Sequence, residues 1–148
     1  MKIEELIEEA MKDIMEARTY ISTNSIKVVR FRDRLTKKGG KWLTVHAAPN
    51  ERLSPNHPLY RVPLSLMADT KSQEDLRSND LDAIIAECND EIHQTLTPAT
   101  LQAAIDAIQP SSGITINGIV QTQGSDTDDE YQIITANADI FLTYIKPS

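Results

Sequence analysis

The chain has 148 residues, 40% of them apolar and 25% charged, with a formal net charge of −7. That balance suits one globular domain, and the acid excess argues against wrapping nucleic acid, because phosphate neutralisation needs surplus Lys and Arg on the contacting face. No apolar run approaches the roughly 20 residues that cross a bilayer; acids occupy the first turns where a signal peptide has its apolar core; and a lone cysteine, Cys88, permits no intrachain disulfide, as fits a reducing cytoplasm.

Ile3, Leu6, Ile7, Ala10, Met11 and Ile14 recur at helical spacing and predict an amphipathic helix from Lys2 to about Arg18. Glu4, Glu5, Glu8 and Glu9 fall near its start, at the positive end of the helix dipole. Thr23-Asn24-Ser25 breaks it. Ile26 to Arg34 reads as a strand, with Val29 and Phe31 apolar and Arg30, Arg32 and Arg34 spaced two apart on one face. Lys38-Gly39-Gly40-Lys41 is a turn signal between strands. Trp42 to Ala48 follows as a strand, with Leu43, Val45 and Ala47 on one side and Trp42, Thr44 and His46 on the other. Pro49 to Pro58, rich in proline and asparagine, reads as an exposed loop.

From Tyr60 to Ala68 apolar residues alternate, which predicts a half-buried strand over Leu59–Ala68. Pro63 cannot donate to a ladder, so it calls for an edge strand, a bulge or a proline facing an open side. Asp69 to Asn79 is a polar connection, with Ser78 or Asn79 as a cap. Leu81, Ile84, Ile85, Cys88, Ile92 and Leu96 then mark one face of a helix from Asp80 to Leu96, so a strand is handed directly to the helix that could cover it. Ile85→Asp is expected to unfold the domain. Thr97-Pro98 restarts a helix, with Thr as cap and Pro in the first turn. It runs to about Ile108 with Leu101, Ala104, Ile105 and Ile108 inward, and Pro110-Ser111-Ser112-Gly113 ends it. Ile114 to Thr122 reads as a strand with a bulge at Gly118. Gln123 to Glu130 is an acidic, solvated loop. Tyr131 to Lys146 is apolar on both faces, which marks a central strand or one covered by a partner. The order α-β-β-β-α-α-β-β predicts an α+β fold: one largely antiparallel sheet, with the N-terminal helix and a central helix pair packed against one face.

Chemistry is scarce. His46, His57 and His93 are isolated from other metal-ligand types. Cys88 lies on the apolar helix face beside Glu87, Asn89, Asp90 and Glu91, a setting that raises a thiol pKa. Asp126, Asp128, Asp129 and Glu130 lack the glycine and distal glutamate of a calcium loop. Gly39-Gly40-Lys41-Trp42 lacks the spacing of a phosphate loop, and no nucleophile elbow is present. The chain reads as non-catalytic, without cofactor or metal. Its charge, however, is segregated. Arg30, Arg32 and Arg34, extended by Lys37 and Lys38, read as a solvated sheet face, as a contact with a neighbouring copy or, third, as a nucleic-acid contact, which the total charge and the sparse stacking partners Trp42 and Phe31 oppose. In the second case the acids Glu4 and Glu5, or Asp126, Asp128, Asp129 and Glu130, are the complementary patch. Arg30→Glu with Arg32→Glu is then expected to leave folding intact and prevent assembly.

Three stretches carry a family likeness. They are Leu59-Tyr60-Arg61-Val62-Pro63-Leu64-Ser65-Leu66, the helix pattern Leu81-x-x-Ile84-Ile85-x-x-Cys88, and Gly113-Ile114-x-Ile116-Asn117-Gly118-Ile119 before an acidic loop and a long apolar strand. With the opening helix, this layout resembles the tail-terminator and tail-completion proteins of long-tailed bacteriophages. The likeness is one of layout and length over most of the chain, and no family residue carries over to a position here. It implies a homohexameric ring at the head-proximal end of the tail that joins tail to head. The implied partners are other copies of the chain, the tail-tube protein and neck or connector proteins. Genome DNA would pass through the ring without specific binding, and the implied location is the virion, after assembly in the host cytoplasm. Neck, head–tail joining and minor tail proteins share the size and style. The alternative is a non-catalytic adaptor module that binds a partner protein through the basic strand.

Overall fold

The computed structural model describes residues 2–36, 41–70, 77–122 and 134–146. Helix α1 (Ile3–Glu16) and the short α2 (Thr19–Thr23) lead into β1 (Lys27–Arg30) and a 3₁₀ segment (Phe31–Thr36). Strands β2 (Lys41–Ala47), β3 (Glu51–Arg52) and β4 (Leu59–Thr70) follow, then helix α3 (Arg77–Asp90), a π turn (Glu91–Thr95) and α4 (Pro98–Ile108), and finally β5 (Ile114–Thr122) and β6 (Ile134–Tyr144). The strands form one sheet in the order β1-β2-β4-β6-β5, with β3 added beside β4. Among the described residues no helix is long and apolar enough to cross a membrane.

The architecture is the α+β layout that periodicity predicts. Alternation sends Leu43, Val45 and Ala47 of β2, Val62, Leu64, Leu66 and Ala68 of β4, and Ala136, Ala138, Ile140 and Leu142 of β6 to one face, where all are buried. The apolar stripes of α1, α3 and α4 join the same hydrophobic cluster, through residues such as Leu6, Ile7, Met11, Ile84, Leu101 and Ile105. The helices therefore form one layer on one side of the sheet. Burying each of these large side chains contributes roughly 1.5–3 kcal/mol.

Three local expectations are corrected. The strand expected over Ile26–Arg34 stops at Arg30, and the chain tightens into the 3₁₀ segment. Arg30, Arg32 and Arg34 therefore do not share one strand face. Second, β1 and β2 run parallel, with Lys27 opposite Trp42 and Arg30 opposite Val45. A parallel pair cannot be closed by a tight hairpin and needs a crossover, which the 3₁₀ segment begins. Of the Lys38–Lys41 turn signal only Lys41, the first residue of β2, lies within the described residues. Third, α3 begins at Arg77, so Ser78 and Asn79 sit inside the helix rather than capping it. Its last turn widens to π geometry, with the Leu96 N–H donating to the Glu91 carbonyl at 2.7 Å.

Pro63 lies in a central strand, not at an edge, and its tolerance has a simple cause. The Ala48 N–H donates to the Pro63 carbonyl at 2.8 Å. The Pro63 backbone thus faces the β2 side, where β2 has just ended at Ala47 opposite Leu64 and β3 has not yet begun opposite Arg61. The missing donor falls in that gap. β6 is central, between β4 and β5, the first of the two readings that its apolar faces allow. The ladder shifts register between Ile116 and Gly118, where a bulge is expected. Thr97 caps α4: its Oγ1 accepts from the Thr100 N–H at 3.1 Å, and the Thr100 Oγ1 accepts from the Thr97 N–H at 2.8 Å. Thr97→Ala should cost about 1 kcal/mol, read from the urea midpoint at unchanged m-value.

Candidate interaction surfaces

The acids that open the chain are engaged inside it. Glu8 is fully buried on the inner side of α1. One of its carboxylate oxygens accepts from Arg32 Nε at 2.9 Å, and the other from the Ala47 N–H at 2.8 Å, at the end of β2. Glu5 reaches the same guanidinium at 3.5 Å. Arg30 is held by Asp33 at 2.8 Å and Glu9 at 3.3 Å. Glu4 accepts from the Asn50 backbone N–H at 2.8 Å and the Asn50 side-chain amide at 2.7 Å. The opening turns of α1 thereby tie together the end of β1, the 3₁₀ segment and the end of β2: Arg30 and Arg32 on one side, Ala47 and Asn50 on the other.

Electrostatics agree with that geometry. The hydrogen bond to Glu8, stronger than the opposing effect of burial, holds the Arg32 guanidinium above its ordinary range. Burial alone would raise the Glu4 carboxyl, but the Asn50 hydrogen bonds outweigh it and the pKa is lowered. Arg30 and Arg32 thus meet carboxylates of their own chain. Reversing Arg32 to Glu faces buried Glu8 with a like charge and forfeits a charged hydrogen bond. That change should destabilise the fold by roughly 2–3 kcal/mol, with less for Arg30→Glu, whose partner Asp33 is half-exposed. Urea titration of the two variants checks the order. The expectation that reversing both leaves folding intact is withdrawn on this ground. The Arg34 side chain, Lys37, Lys38 and the acidic group Asp126, Asp128, Asp129 and Glu130 lie outside the described residues.

A second charged cluster joins residues far apart in the sequence. Arg18, between α1 and α2, donates through Nε to Glu87, through Nη2 to Asp90 and through Nη1 to Glu91, each at 2.7 Å. Burial works to lower the guanidinium pKa, and the hydrogen bonds that Arg18 donates to Glu91, Glu87 and Asp90 outweigh it, so the charge is held more firmly than usual. The three acids recur at helical spacing on α3 and the π turn, which was legible. Their partner was not, because it lies 69 to 73 residues away.

The face of the sheet away from the helices is the more accessible one. The 3₁₀ segment lies against part of it, where Trp42 and Thr44 are buried and Phe31 stacks on His46 with ring centroids 4.1 Å apart. Lys27 Nζ lies 5.2 Å from the centre of the Trp42 ring. Further along, strand alternation sets Arg61, Pro63, Ser65 and Met67 of β4 beside Phe141, Asp139, Asn137 and Thr135 of β6. Leu53 (45% exposed), Leu59 (37%) and Val120 (53%) open to solvent on the same side, and Ile145 (66%) follows the end of β6.

His57 and His93 are exposed and separate. Cys88 is buried in the core, and burial pushes its thiol pKa far above the ordinary range. Among the described residues no three His, Cys, Asp or Glu side chains gather as metal ligands.

No family model matches the chain, and no curated protein matches it. Among solved structures, a protein known only by a serial identifier aligns over 97% of this chain and 94% of its own length, at 16% identity and a TM-score of 0.41. So loose a superposition carries no argument about function.

Proposed function

We propose that this chain is a structural, ring-forming protein of a tailed bacteriophage virion. Its role is that of a tail-terminator or tail-completion protein at the head-proximal end of the tail, joining tail to head. The observation that supports this most is the one-sided helix layer. It leaves one broad sheet face uncovered by helices, with Leu53, Leu59 and Val120 exposed at separate points on it. A ring needs a head-to-tail interface, in which one patch of a copy meets a different patch of the next. On this reading the helix-free face supplies one patch. Arg30 and Arg32 support the wall of the subunit rather than the contact, since their carboxylates come from their own chain. For the same reason an adaptor acting through the basic strand is the weaker reading.

The partners on this reading are further copies of the chain, the tail-tube protein and neck or connector proteins. A net charge of −7 per copy gives passing DNA no counterion-release drive to stick. Disrupting the gene in its phage tests the proposal. Tails of uncontrolled length and unjoined heads are expected under the electron microscope; normal, joined particles would overturn it.

A further inference from the structure

The free edge of the sheet at β5 is guarded in an uncommon way. Natural edge strands deter pairing with charges, prolines or coverage. β5 reads Ile-Thr-Ile-Asn-Gly-Ile-Val-Gln-Thr, without a charge or a proline. Two of its outward backbone groups are instead met by a single side chain. Gln102 of α4 accepts from the Ile116 N–H through Oε1 at 2.7 Å and donates through Nε2 to the Ile114 carbonyl at 2.9 Å. One carboxamide thus satisfies a donor and an acceptor on alternate residues, as the N–H and C=O of a single residue in a parallel neighbouring strand would. Asp106 accepts from the same Nε2 at 3.1 Å, which fixes the orientation of the amide. The Ile114 N–H is taken by Ser112 Oγ at 3.2 Å.

Past the bulge, ladder alternation turns Ile119 and Gln121 outward, since Val120 opposite Asp139 faces β6. No side chain among the described residues bonds the backbone of Ile119 or Gln121 on that edge. Among the described residues the edge is therefore half closed, by Gln102 and Ser112, and half open.

We propose that the outward edge of β5 is a strand-pairing surface for β5 of a second copy, held shut by Gln102. The second copy is the occupant that fits. Two identical neutral strands meet without placing like charges opposite each other, although each chain carries −7 overall. Antiparallel pairing about a two-fold axis also brings the same groups together from both sides. Gln102 must leave before Ile114 and Ile116 can join such a ladder, so the fold carries its own competitor for that edge. The inference stands apart from the ring reading, because it concerns a contact that the intact protein suppresses.

Sedimentation velocity of the full chain with Gln102→Ala tests it. Removing two competing hydrogen bonds should tighten self-association roughly ten- to a hundredfold over the unaltered chain. Adding Gln121→Pro, which deletes an outward donor while sparing the β6 ladder, should reverse the gain. Amide hydrogen exchange supplies the second readout. The Ile119 and Gln121 amides should exchange fast in the unaltered chain and become protected in the Gln102→Ala dimer. A folded Gln102→Ala protein that associates no more tightly would overturn the proposal. So would association that leaves those two amides fast, or that Gln121→Pro does not reverse, because the contact would then lie elsewhere.

Discussion

Ile84→Asp is expected to abolish the folded state. Ile84 is wholly buried where α3 packs on the sheet, within the cluster that also holds Leu64, Leu66, Ala138 and Ile140. An aspartate there would be set among the apolar side chains of that cluster. Burying it costs several kcal/mol beyond the lost packing, against a total stability of roughly 5–15 kcal/mol for a domain. Far-UV circular dichroism should show no cooperative melting transition; a transition at the temperature of the unaltered protein would refute the placement of α3. Ile85, which periodicity marks equally, is only partly covered. Its aspartate can turn toward solvent, so Ile85→Asp should weaken the fold without removing it.

Arg18→Met should be the most damaging change outside the core, at about 3 kcal/mol and a melting temperature lower by roughly 6–12 °C. Methionine replaces most of the stem but leaves Glu87, Asp90 and Glu91 together without their cation, and Glu91 is only 4% exposed. The loss exceeds that of a surface ion pair because the guanidinium is itself largely covered and each carboxylate has its own hydrogen bond. If crowding of unpaired carboxylates is the cause, adding Glu91→Gln should restore part of the stability. A double variant as weak as or weaker than Arg18→Met would point to lost packing instead.

Much of this fold is written in local patterns. The period change between Tyr60 and Leu96 marks β4 and α3, Thr97-Pro98 marks the start of α4, and Gly118 marks the bulge, because each depends on neighbouring residues alone. What the sequence conceals depends on distant partners. The arginines at 30, 32 and 34 have strand spacing, yet the chain tightens after Arg30, where Arg30 and Arg32 meet Glu8, Glu9, Asp33 and Glu5. Opposite charges read as complementary patches on two copies are, for these residues, partners within one. The parallel course of β1 and β2 is hidden likewise, since alternation gives a strand's faces but not its direction. Gln102 is the least legible of all: a glutamine on the polar side of a helix shows nothing of the strand edge it closes.

The central claim, that the chain works by associating with copies of itself, is tested most directly by its mass in solution. Light scattering coupled to size-exclusion chromatography, run on the unaltered chain at rising concentration, should reveal a discrete species of six chains that gains at the expense of the monomer. A chain that stays monomeric at the highest attainable concentration, with its fold intact, would contradict the account.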